Sequence, residues 1–315
     1  MCTAITVKSD NFYFGRNLDL DYHYNEAVTI TPRRFPFTFR NGKLNDNHYA
    51  IIGVATVADG YPLYYDATNE KGLSIAGLNF PDNAVYYPES DSKINVAPFE
   101  LIPWILGRCS TADEAYRELK TINVWDVPFS KEFPQSPLHW MVADKNRCFV
   151  IETMRSGMKL YENAVGVLTN NPPFEYHANN LTNYINLTPY QPETRFGTEM
   201  KPYSLGMGAI GLPGDLSSAS RFVRAAFVKY NSVCGESEYE NVNRFFHILG
   251  SVKQVKGCTV TDNGCEYSVY TCCMNADKGI YRFSSYDNQN IISVDMHDTD
   301  IDGCRLICCH SDKNS

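Results

Sequence analysis

The order of the predicted secondary-structure elements constrains the fold of this chain most, because strands come mostly in consecutive groups and helices in blocks. Short β-type runs predict strands at Thr3–Lys8, Asn11–Phe14, Ala27–Thr31, Tyr49–Val57, Gly72–Leu78, Leu138–Ala143, Cys148–Thr153, Gly166–Leu168, Glu266–Met274 and Gly279–Phe283. Helices are predicted at Pro98–Cys109, Ala112–Ile122, Phe174–Tyr184, Ser218–Tyr230 and Asn241–Val252. This order favours an antiparallel α+β layered fold over alternating βαβ winding.

Composition excludes several classes of protein. The 315 residues are 43% hydrophobic and 20% charged, as in a soluble globular protein with a large core. A net charge of −8, with no run rich in Lys and Arg, argues against a nucleic-acid partner. The longest clean apolar stretch, Ala50–Ala58, is far too short to span a membrane, and the N-terminus does not resemble a signal peptide. We therefore expect a cytoplasmic protein without stable membrane insertion.

The cysteines and histidines give little support for a metal site. Eleven cysteines are an odd number, and the sequence lacks the paired spacing of a structural zinc site. Cys304, Cys308 and His310 come nearest, so zinc is a minor alternative to free thiols in a reducing compartment. The seven histidines are scattered, which also argues against a Ser-His-Asp site. We expect no metal.

One glycine motif has to be weighed as a cofactor site. Gly206, Gly208 and Gly211 match the dinucleotide fingerprint by letter. That fingerprint needs a helix directly after it, so that the pyrophosphate meets the helix N-terminus. Pro213-Gly214 follow at once and prevent such a helix, so we predict a glycine loop and no nucleotide cofactor.

Cys2 is the residue best suited to act as a catalytic nucleophile. A cysteine after the initiator methionine is small enough for Met1 to be removed, which leaves Cys2 with a free α-amine. Unperturbed α-amine and thiol groups have pKa values of about 8 and about 8.5, respectively. One residue would then carry both a nucleophile and a base. The alternative is that Cys2 is only a chain end.

A predicted hairpin at residues 9–11 brings charged residues to Cys2. A two-residue turn would place Cys2 opposite Asp19, and a three-residue turn would place it opposite Leu18. Arg16 would then favour the thiolate and Asp19 would orient the ammonium group. Strict alternation cannot put both on the face of Cys2, so a bulge or bend would be required. The alternative for Arg16 and Asp19 is a surface ion pair.

The chain resembles a known family over nearly its whole length. The segments that carry the resemblance are MCTAIT at the start, FGRNLD at Phe14–Asp19, TPR at Thr31–Arg33, NEKGLSIAGLNFP at Asn69–Pro81, SPLHWMVAD at Ser136–Asp144, GVLTNNPPFEYH at Gly166–His177 and GLPGDLSSASRFVRAAF at Gly211–Phe227. They are similar to the choloylglycine hydrolases, N-terminal nucleophile hydrolases that include bile salt hydrolases and penicillin V acylases. The resemblance implies a four-layer αββα sandwich, one domain over residues 1–315, a homotetramer and no cofactor.

The resemblance also implies which residues form the catalytic site. These are Cys2, Arg16, Asp19, Asn79, Asn170 and Arg221. Asn79 and Asn170 would donate hydrogen bonds to a tetrahedral oxyanion, although a turn is the alternative for the Asn170 segment. Arg221 falls in the first turn of a helix capped by Ser217 or Ser218. The helix dipole disfavours a cation there, which indicates a role other than helix stability.

The implied activity is cleavage of the amide that joins a bile acid to glycine or taurine. Asn79 supports this substrate within the family, because typical penicillin V acylases carry tyrosine at the matching position. Aromatic residues make up 13% of the chain, and many fall in loops, which suits a pocket for a large apolar ligand. Two alternatives stay open: a penicillin V acylase of the same fold, and a non-catalytic steroid or lipid binder that does not use Cys2.

Overall fold

The computed structural model describes residues 1–194, 196–197 and 199–309, and two large β-sheets form its centre. The strands are β1 (Cys2–Lys8), β2 (Phe12–Leu20), β3 (Ala27–Thr31), β4 (Phe37–Thr38), β5 (Leu44–Asn45), β6 (Ile51–Ala58), β7 (Tyr61–Asn69), β8 (Ser74–Asn79), β9 (Ile94–Val96), β10 (Ile122–Val124), β11 (Leu138–Ala143), β12 (Cys148–Met154), β13 (Gly157–Glu162), β14 (Val167–Leu168), β15 (Thr259–Thr261), β16 (Gly264–Asn275), β17 (Ile280–Ser285), β18 (Ile292–Asp295) and β19 (Ile307–Cys309). The helices are α1 (Leu101–Arg108), α2 (Ala112–Leu119), α3 (Phe174–Asn180), α4 (Ser218–Asn231) and α5 (Glu238–Gly250). Short 3-10 turns lie at Pro98–Glu100, Leu181–Tyr184, Met207–Ala209 and Met296–Asp298.

Both large sheets are antiparallel. The first has the strand order β14-β1-β2-β16-β17-β18, with β15 paired to β16, and the second has the order β13-β12-β11-β8-β7-β6-β3-β19. The second sheet is continuous from β11 through β8 and β7 to β6, so its central strands form one broad surface. The antiparallel layered fold predicted from the element order is confirmed.

Helices cover the outer face of each sheet. Helices α4 and α5 pack on the first sheet, and α1 and α2 pack on the second, while β1 and β2 contact β8 between the sheets. Alternating residues of single strands enter different cores: Leu78 and Met141 join the core of the first sheet, whereas Ile75 and Trp140 join the core beneath α1 and α2. The four-layer αββα sandwich is therefore confirmed.

Several predicted boundaries were wrong where buried polar residues obscure the strand pattern. Strand β2 continues beyond Phe14 to Leu20, and Arg16, Asn17 and Asp19 within it are all buried. Strand β7 was missed because Pro62 and the buried Asp66 interrupt its apolar pattern.

The helix predicted to end at Ile122 instead ends at Leu119. Ile122–Val124 then forms β10, which pairs parallel with β9. The predicted starts of α2, α3 and α4 agree with the structure. The Thr111 side chain caps α2 by accepting from the backbone N–H of Glu114, and Ser217 caps α4 by accepting from that of Ser220. Across the described ranges, no helix combines the length and the apolar character needed to cross a membrane.

Candidate active site

Cys2 lies at the start of β1 and is 2% exposed. Strand β1 pairs with β2 from Cys2 opposite Leu18 to Lys8 opposite Phe12. Residues 9–11 therefore form the three-residue turn, the second of the two registers that the sequence allows. Because β2 is longer than predicted, its polar segment runs directly beside Cys2.

Arg16 and Asp19 lie on opposite faces of the first sheet. Side chains alternate along β2, so Arg16 shares a face with Leu18, the residue opposite Cys2. The Arg16 guanidinium donates from Nη1 to the carbonyl oxygen of Gly77 (2.5 Å) in the second sheet. The expected bulge is present, but it falls between β2 and β16, at Ser268/Tyr270. The extra residue, Val269, belongs to β16, so side chains still alternate along β2 and Asp19 does not share the face of Cys2.

Asp19 is a fully buried carboxylate with an incomplete set of partners. Its Oδ1 accepts a hydrogen bond from Ser268 Oγ (2.6 Å), while the buried Oδ2 has no partner among the described residues. Burial raises the pKa of Asp19, and the charges of Arg221 and the N-terminal amine oppose that shift. Arg16 and Asp19 are both 0% exposed, which excludes the surface ion pair.

Asn170 is bonded directly to Cys2. Its Oδ1 accepts from the backbone nitrogen of Cys2 (2.7 Å) and from Arg221 Nη2 (2.8 Å). Its Nδ2 donates to the carbonyl oxygen of Asn79 (2.7 Å). An amide Nδ2 carries two hydrogens, and the second has no acceptor in the part of the chain that the structure describes. Asn170 therefore has a free donor at the site.

Arg221 joins the site to helix α4. Its Nη1 donates to the carbonyl oxygen of Cys2 (2.5 Å) and to Thr3 Oγ1 (2.6 Å). Burial lowers the pKa of Arg221, whereas Asp19 and Cys2 act in the opposite direction. These bonds give Arg221 a role outside its helix, as the sequence analysis predicted. Arg224, one turn later, donates to the carbonyl oxygens of Pro213 and Ser251 and is a structural partner.

Asn79 ends β8 and completes the group of six residues. Its carbonyl oxygen is bonded to Asn170, but no hydrogen bond joins its side-chain amide to another residue in the described ranges. Arg16 also has an unused group, because its buried Nη2 is without a partner there. Burial alone would lower the pKa of Arg16, but its electrostatic interactions with Cys2, Tyr270 and Asp66 raise it above its ordinary value.

Met1 adds one more residue to the strand pairing and holds the end of β1. Its amine donates to the carbonyl oxygen of Asp19 (3.0 Å), its carbonyl accepts from the N–H of Asp19 (3.0 Å), and its amine also contacts the carboxylate of Glu266. While Met1 is present, the nitrogen of Cys2 is a backbone amide. The same atom stands for the α-amine of a chain from which Met1 has been removed.

Sequence reasoning missed a buried polar cluster between the sheets. Asp66 of β7 accepts hydrogen bonds from the hydroxyls of Tyr270 and Tyr281 (2.6 Å for Tyr281), and the thiol of Cys272 lies 3.6 Å from it. Burial raises the pKa of Asp66, while Arg16 lowers it. The sequence signal that could have revealed this cluster was Asp66, a single carboxylate in a strand-like segment that lies just before the family motif beginning at Asn69.

The site contains no recognisable metal centre within the described part of the chain, where no group of three or more His, Cys, Asp or Glu side chains could hold an ion. Of the residues that come nearest to a zinc pattern, Cys304 and Cys308 are free thiols. His310 lies outside the described residues.

Comparison with known proteins gives consistent matches over the full chain. The profile of a family described as linear amide C-N hydrolases, choloylglycine hydrolase family, matches residues 2–309. A bile salt hydrolase/transferase from Lactiplantibacillus plantarum is 52% identical over 310 residues, which cover 98% of this chain and 96% of that protein. A crystal structure of a conjugated bile acid hydrolase variant from Clostridium perfringens is 35% identical, covers 99% of this chain and 98% of its own, and superposes with a TM-score of 0.93.

A more distant structure shares the fold. Penicillin V acylase from Agrobacterium tumefaciens superposes with a TM-score of 0.76 at 18% identity, covering 97% of this chain and 90% of its own. At this identity the likeness extends to the arrangement of the layers only.

Proposed function

The chain belongs to the choloylglycine hydrolase family of linear amide C–N hydrolases, and we propose that it hydrolyses conjugated bile salts with Cys2 as an N-terminal nucleophile. The observation that carries the proposal is the bonding around the nitrogen of Cys2. Asn170 Oδ1 accepts from that nitrogen, and Arg221 binds both Asn170 and the carbonyl of Cys2. A nucleophile, a candidate base and a candidate oxyanion donor thus lie within one hydrogen-bonded group.

Removal of Met1 would complete this group. The unpartnered Oδ2 of Asp19 is a buried acceptor beside the strand end, and buried polar atoms rarely lack partners. An ammonium or amine on Cys2 is the partner that it would gain. Removal would also free the backbone N–H and C=O of Asp19, which Met1 occupies.

In the first step, the sulfur of Cys2 attacks the carbonyl carbon of the substrate amide, and the thiol proton passes to the α-amine of the same residue. A tetrahedral intermediate forms with its negative charge on the former carbonyl oxygen. The free Nδ2 hydrogen of Asn170 and the unbonded side-chain amide of Asn79 supply donors to that oxygen. Removing one such donor from an enzyme typically costs about 3–4 kcal/mol of transition-state stabilisation.

In the second step, the carbon–nitrogen bond breaks and the α-ammonium gives its proton to the departing amine of glycine or taurine. A thioester between Cys2 and the bile acid remains. Water, deprotonated by the α-amine, then attacks the thioester, which releases the bile acid and restores the thiol. Arg16, on the face of Cys2, favours the thiolate, and Asp19 holds the α-amine in its orientation.

Two observations favour bile salts over penicillin V. The relatives at 35–52% identity are bile salt or conjugated bile acid hydrolases, whereas the penicillin V acylase is only 18% identical. Asn79 is also the position at which the sequence resembles bile salt hydrolases and not penicillin V acylases, and its side-chain amide has no hydrogen bond to another described residue, which leaves it free to contact a ligand. A binder that does not use Cys2 would have no need for the bonded group around the nitrogen of Cys2.

The proposal also includes the oligomeric state and the cellular location of this protein. We infer a homotetramer, supported by one segment with strongly exposed apolar side chains, since such surfaces typically mark interfaces. These side chains are 77–88% exposed and belong to Ile185, Tyr190, Phe196, Tyr203 and Leu205. The eleven free cysteines support a reducing compartment such as the cytoplasm.

The decisive experiment is release of glycine and taurine from conjugated bile salts, measured beside hydrolysis of penicillin V, with mass spectrometry of the N-terminus. We expect amino-acid release by chains that begin at Cys2. Hydrolysis of penicillin V alone would support the acylase alternative. A processed chain that binds bile salts without releasing product would support the binder.

A further inference from the structure

Two buried histidines contact successive carbonyl groups at Asn170. His139 Nε2 lies 2.8 Å from the carbonyl oxygen of Thr169, and His177 Nε2 lies 2.9 Å from that of Asn170. Both imidazoles are 0% exposed. A carbonyl oxygen only accepts, so Nε2 carries the hydrogen and donates in both residues. The carbonyl groups directly before and after the backbone nitrogen and side chain of Asn170 therefore each accept a hydrogen bond from a buried histidine.

Glu152 couples the two histidines. Its Oε1 accepts from the backbone N–H of Phe174 (2.8 Å), the first residue of α3, and lies 3.1 Å from His139 Nδ1. Both groups are buried, and they lie within hydrogen-bond distance of each other. Helix α3 carries His177. One carboxylate thus anchors His139 directly and His177 through the start of its helix.

Aromatic rings fix the orientation of both imidazoles. Phe80 stacks on His139 with ring centroids 4.3 Å apart and planes at 5°, and Phe222 stacks on His177 at 5.1 Å and 16°. Phe80 follows Asn79 in the sequence, and Phe222 follows Arg221. Asn79 and Arg221 both bond to Asn170, and each is followed in the sequence by the aromatic residue that stacks on one of the two histidines.

We propose that His139 and His177 are positioning residues, which act through the Thr169 and Asn170 carbonyls to aim the Asn170 amide at the oxyanion. The inference rests on the proposed function of Asn170 and deepens it. Neither histidine forms a hydrogen bond with Cys2 in the described part of the chain, so their effect on the reaction passes through Asn170. Burial lowers the pKa of His177 to about 4, and the neutral ring has the single Nε2 hydrogen that this contact needs. Its buried Nδ1 has no partner in the described part of the chain.

The test compares replacements of His177 that keep or remove the Nε2 donor. Gln at position 177 can place its amide nitrogen near the former Nε2, whereas Leu has no donor and Asn is too short to reach. We expect His177→Leu to lower kcat roughly 10- to 100-fold with little change in KM, since small misplacements have effects of this size. His177→Gln should stay within a few-fold of the parent. His177→Asn replaces His177→Leu if the latter fails to fold.

His48 provides a matched control. It is also buried and aromatic-packed, and its ring nitrogens lie 2.7 and 3.0 Å from the carbonyl oxygens of Tyr49 and Phe35, but the ring that it packs against, Phe37, belongs to the core under α1. His48→Leu should lower stability without lowering kcat. Equal loss of kcat in the Leu variants of His48 and His177, or equal kcat in His177→Leu and His177→Gln, would overturn the proposal.

A crystal structure of the donor-free variant separates this inference from the proposed function. We expect the distance between Asn170 Oδ1 and the nitrogen of Cys2 to lengthen beyond hydrogen-bond range, and to remain near its parent value in His177→Gln. An unchanged Asn170 in the donor-free variant would refute the positioning role. This readout holds even if the parent enzyme releases no amino acid from any bile salt, a result that would refute the proposed function alone.

Discussion

Asn170 Oδ1 accepts a hydrogen bond from the nitrogen of Cys2 at 2.7 Å, although 168 positions separate the two residues in the sequence. Arg221 closes the group by binding both Asn170 Oδ1 and the carbonyl of Cys2. The candidate nucleophile and the candidate oxyanion donor therefore belong to one hydrogen-bonded unit. Substitutions that disturb either residue should affect the chemical step more than substrate affinity.

Cys2→Ser should abolish nearly all hydrolysis and leave the fold intact. A hydroxyl is hardly ionised near neutral pH, and serine is close in size to the buried cysteine. The measurements are amino-acid release from conjugated bile salts and the urea unfolding midpoint. Turnover by this variant at the rate of the parent enzyme would contradict the mechanism.

A chain extended before Cys2 by residues that the cell cannot remove should bind substrate but not hydrolyse it. The structure accommodates Met1 as an additional residue in the pairing with Asp19, so an N-terminal addition need not disrupt β1. The nitrogen of Cys2 would remain an amide and could not accept a proton. The measurements are turnover and the affinity for a bile salt. Full activity of the blocked form would show that the α-amine is not the base.

Asp19→Asn should lower kcat by about 100-fold, a typical effect of weakening a positioned acid–base group, with a smaller change in KM. The substitution removes the negative charge beside the α-amine but keeps the side-chain shape. Steady-state kinetics on one conjugate measure both parameters. A change confined to KM would place Asp19 in substrate binding, provided that KM reflects affinity.

The free energy of unfolding should decrease between about pH 6.5 and pH 4 because of His177. Burial lowers the pKa of folded His177 to about 4, reinforced by His139 and Arg221 and opposed by Asn170 and Glu152, whereas an unfolded histidine titrates near 6.5. The unfolded chain therefore binds the proton first as the pH falls, which destabilises the fold by on the order of 3 kcal/mol across this window.

The comparison that checks this is urea unfolding of the parent and His177→Gln at pH 7 and pH 4.5. The parent should lose more stability than the variant between these two conditions. Parallel losses would show that the titration of His177 does not contribute.

Replacing the steroid should change kcat/KM more than exchanging glycine for taurine. Burial of apolar surface contributes about 25 cal/mol per Å², and an anion at a pocket mouth gains little over water. Loop aromatics such as Phe129 and Phe133 are available, whereas the cations nearest Cys2, Arg16 and Arg221, are fully buried. The test is a matrix of steroid cores and both conjugates at two ionic strengths. Strong taurine preference that disappears at high salt would contradict this prediction.

The order of strands and helices predicted an antiparallel layered fold, whereas the six candidate residues were implied by the family resemblance. The resemblance also implied the four-layer sandwich, and the hairpin at residues 9–11 placed the polar segment of β2 beside Cys2. The end of β2 was mispredicted because buried Arg16, Asn17 and Asp19 look like a loop in one dimension. Their partners lie on other strands and helices, which only the folded chain brings near.

The two histidines show more clearly which features of the site could not be predicted from the sequence. In the sequence they are scattered and give no motif, yet His139 and His177 meet at consecutive carbonyls of one loop. Their function depends on hydrogen bonds to backbone atoms, and backbone atoms leave no residue-type signature. A buried histidine in an apolar strand, such as His139 in β11, was the only local hint.

Arg221 has a consequence for the order of the chain terminus. The first residues of a protein usually fray and sample many orientations, which would blur the aim of a reactive group placed there. Arg221 binds Cys2 and Thr3 through their carbonyl and hydroxyl oxygens, while Asn170 holds the nitrogen of Cys2. A terminal residue thereby acquires the rigidity of an interior one, and little conformational freedom has to be lost when the thiol meets its target.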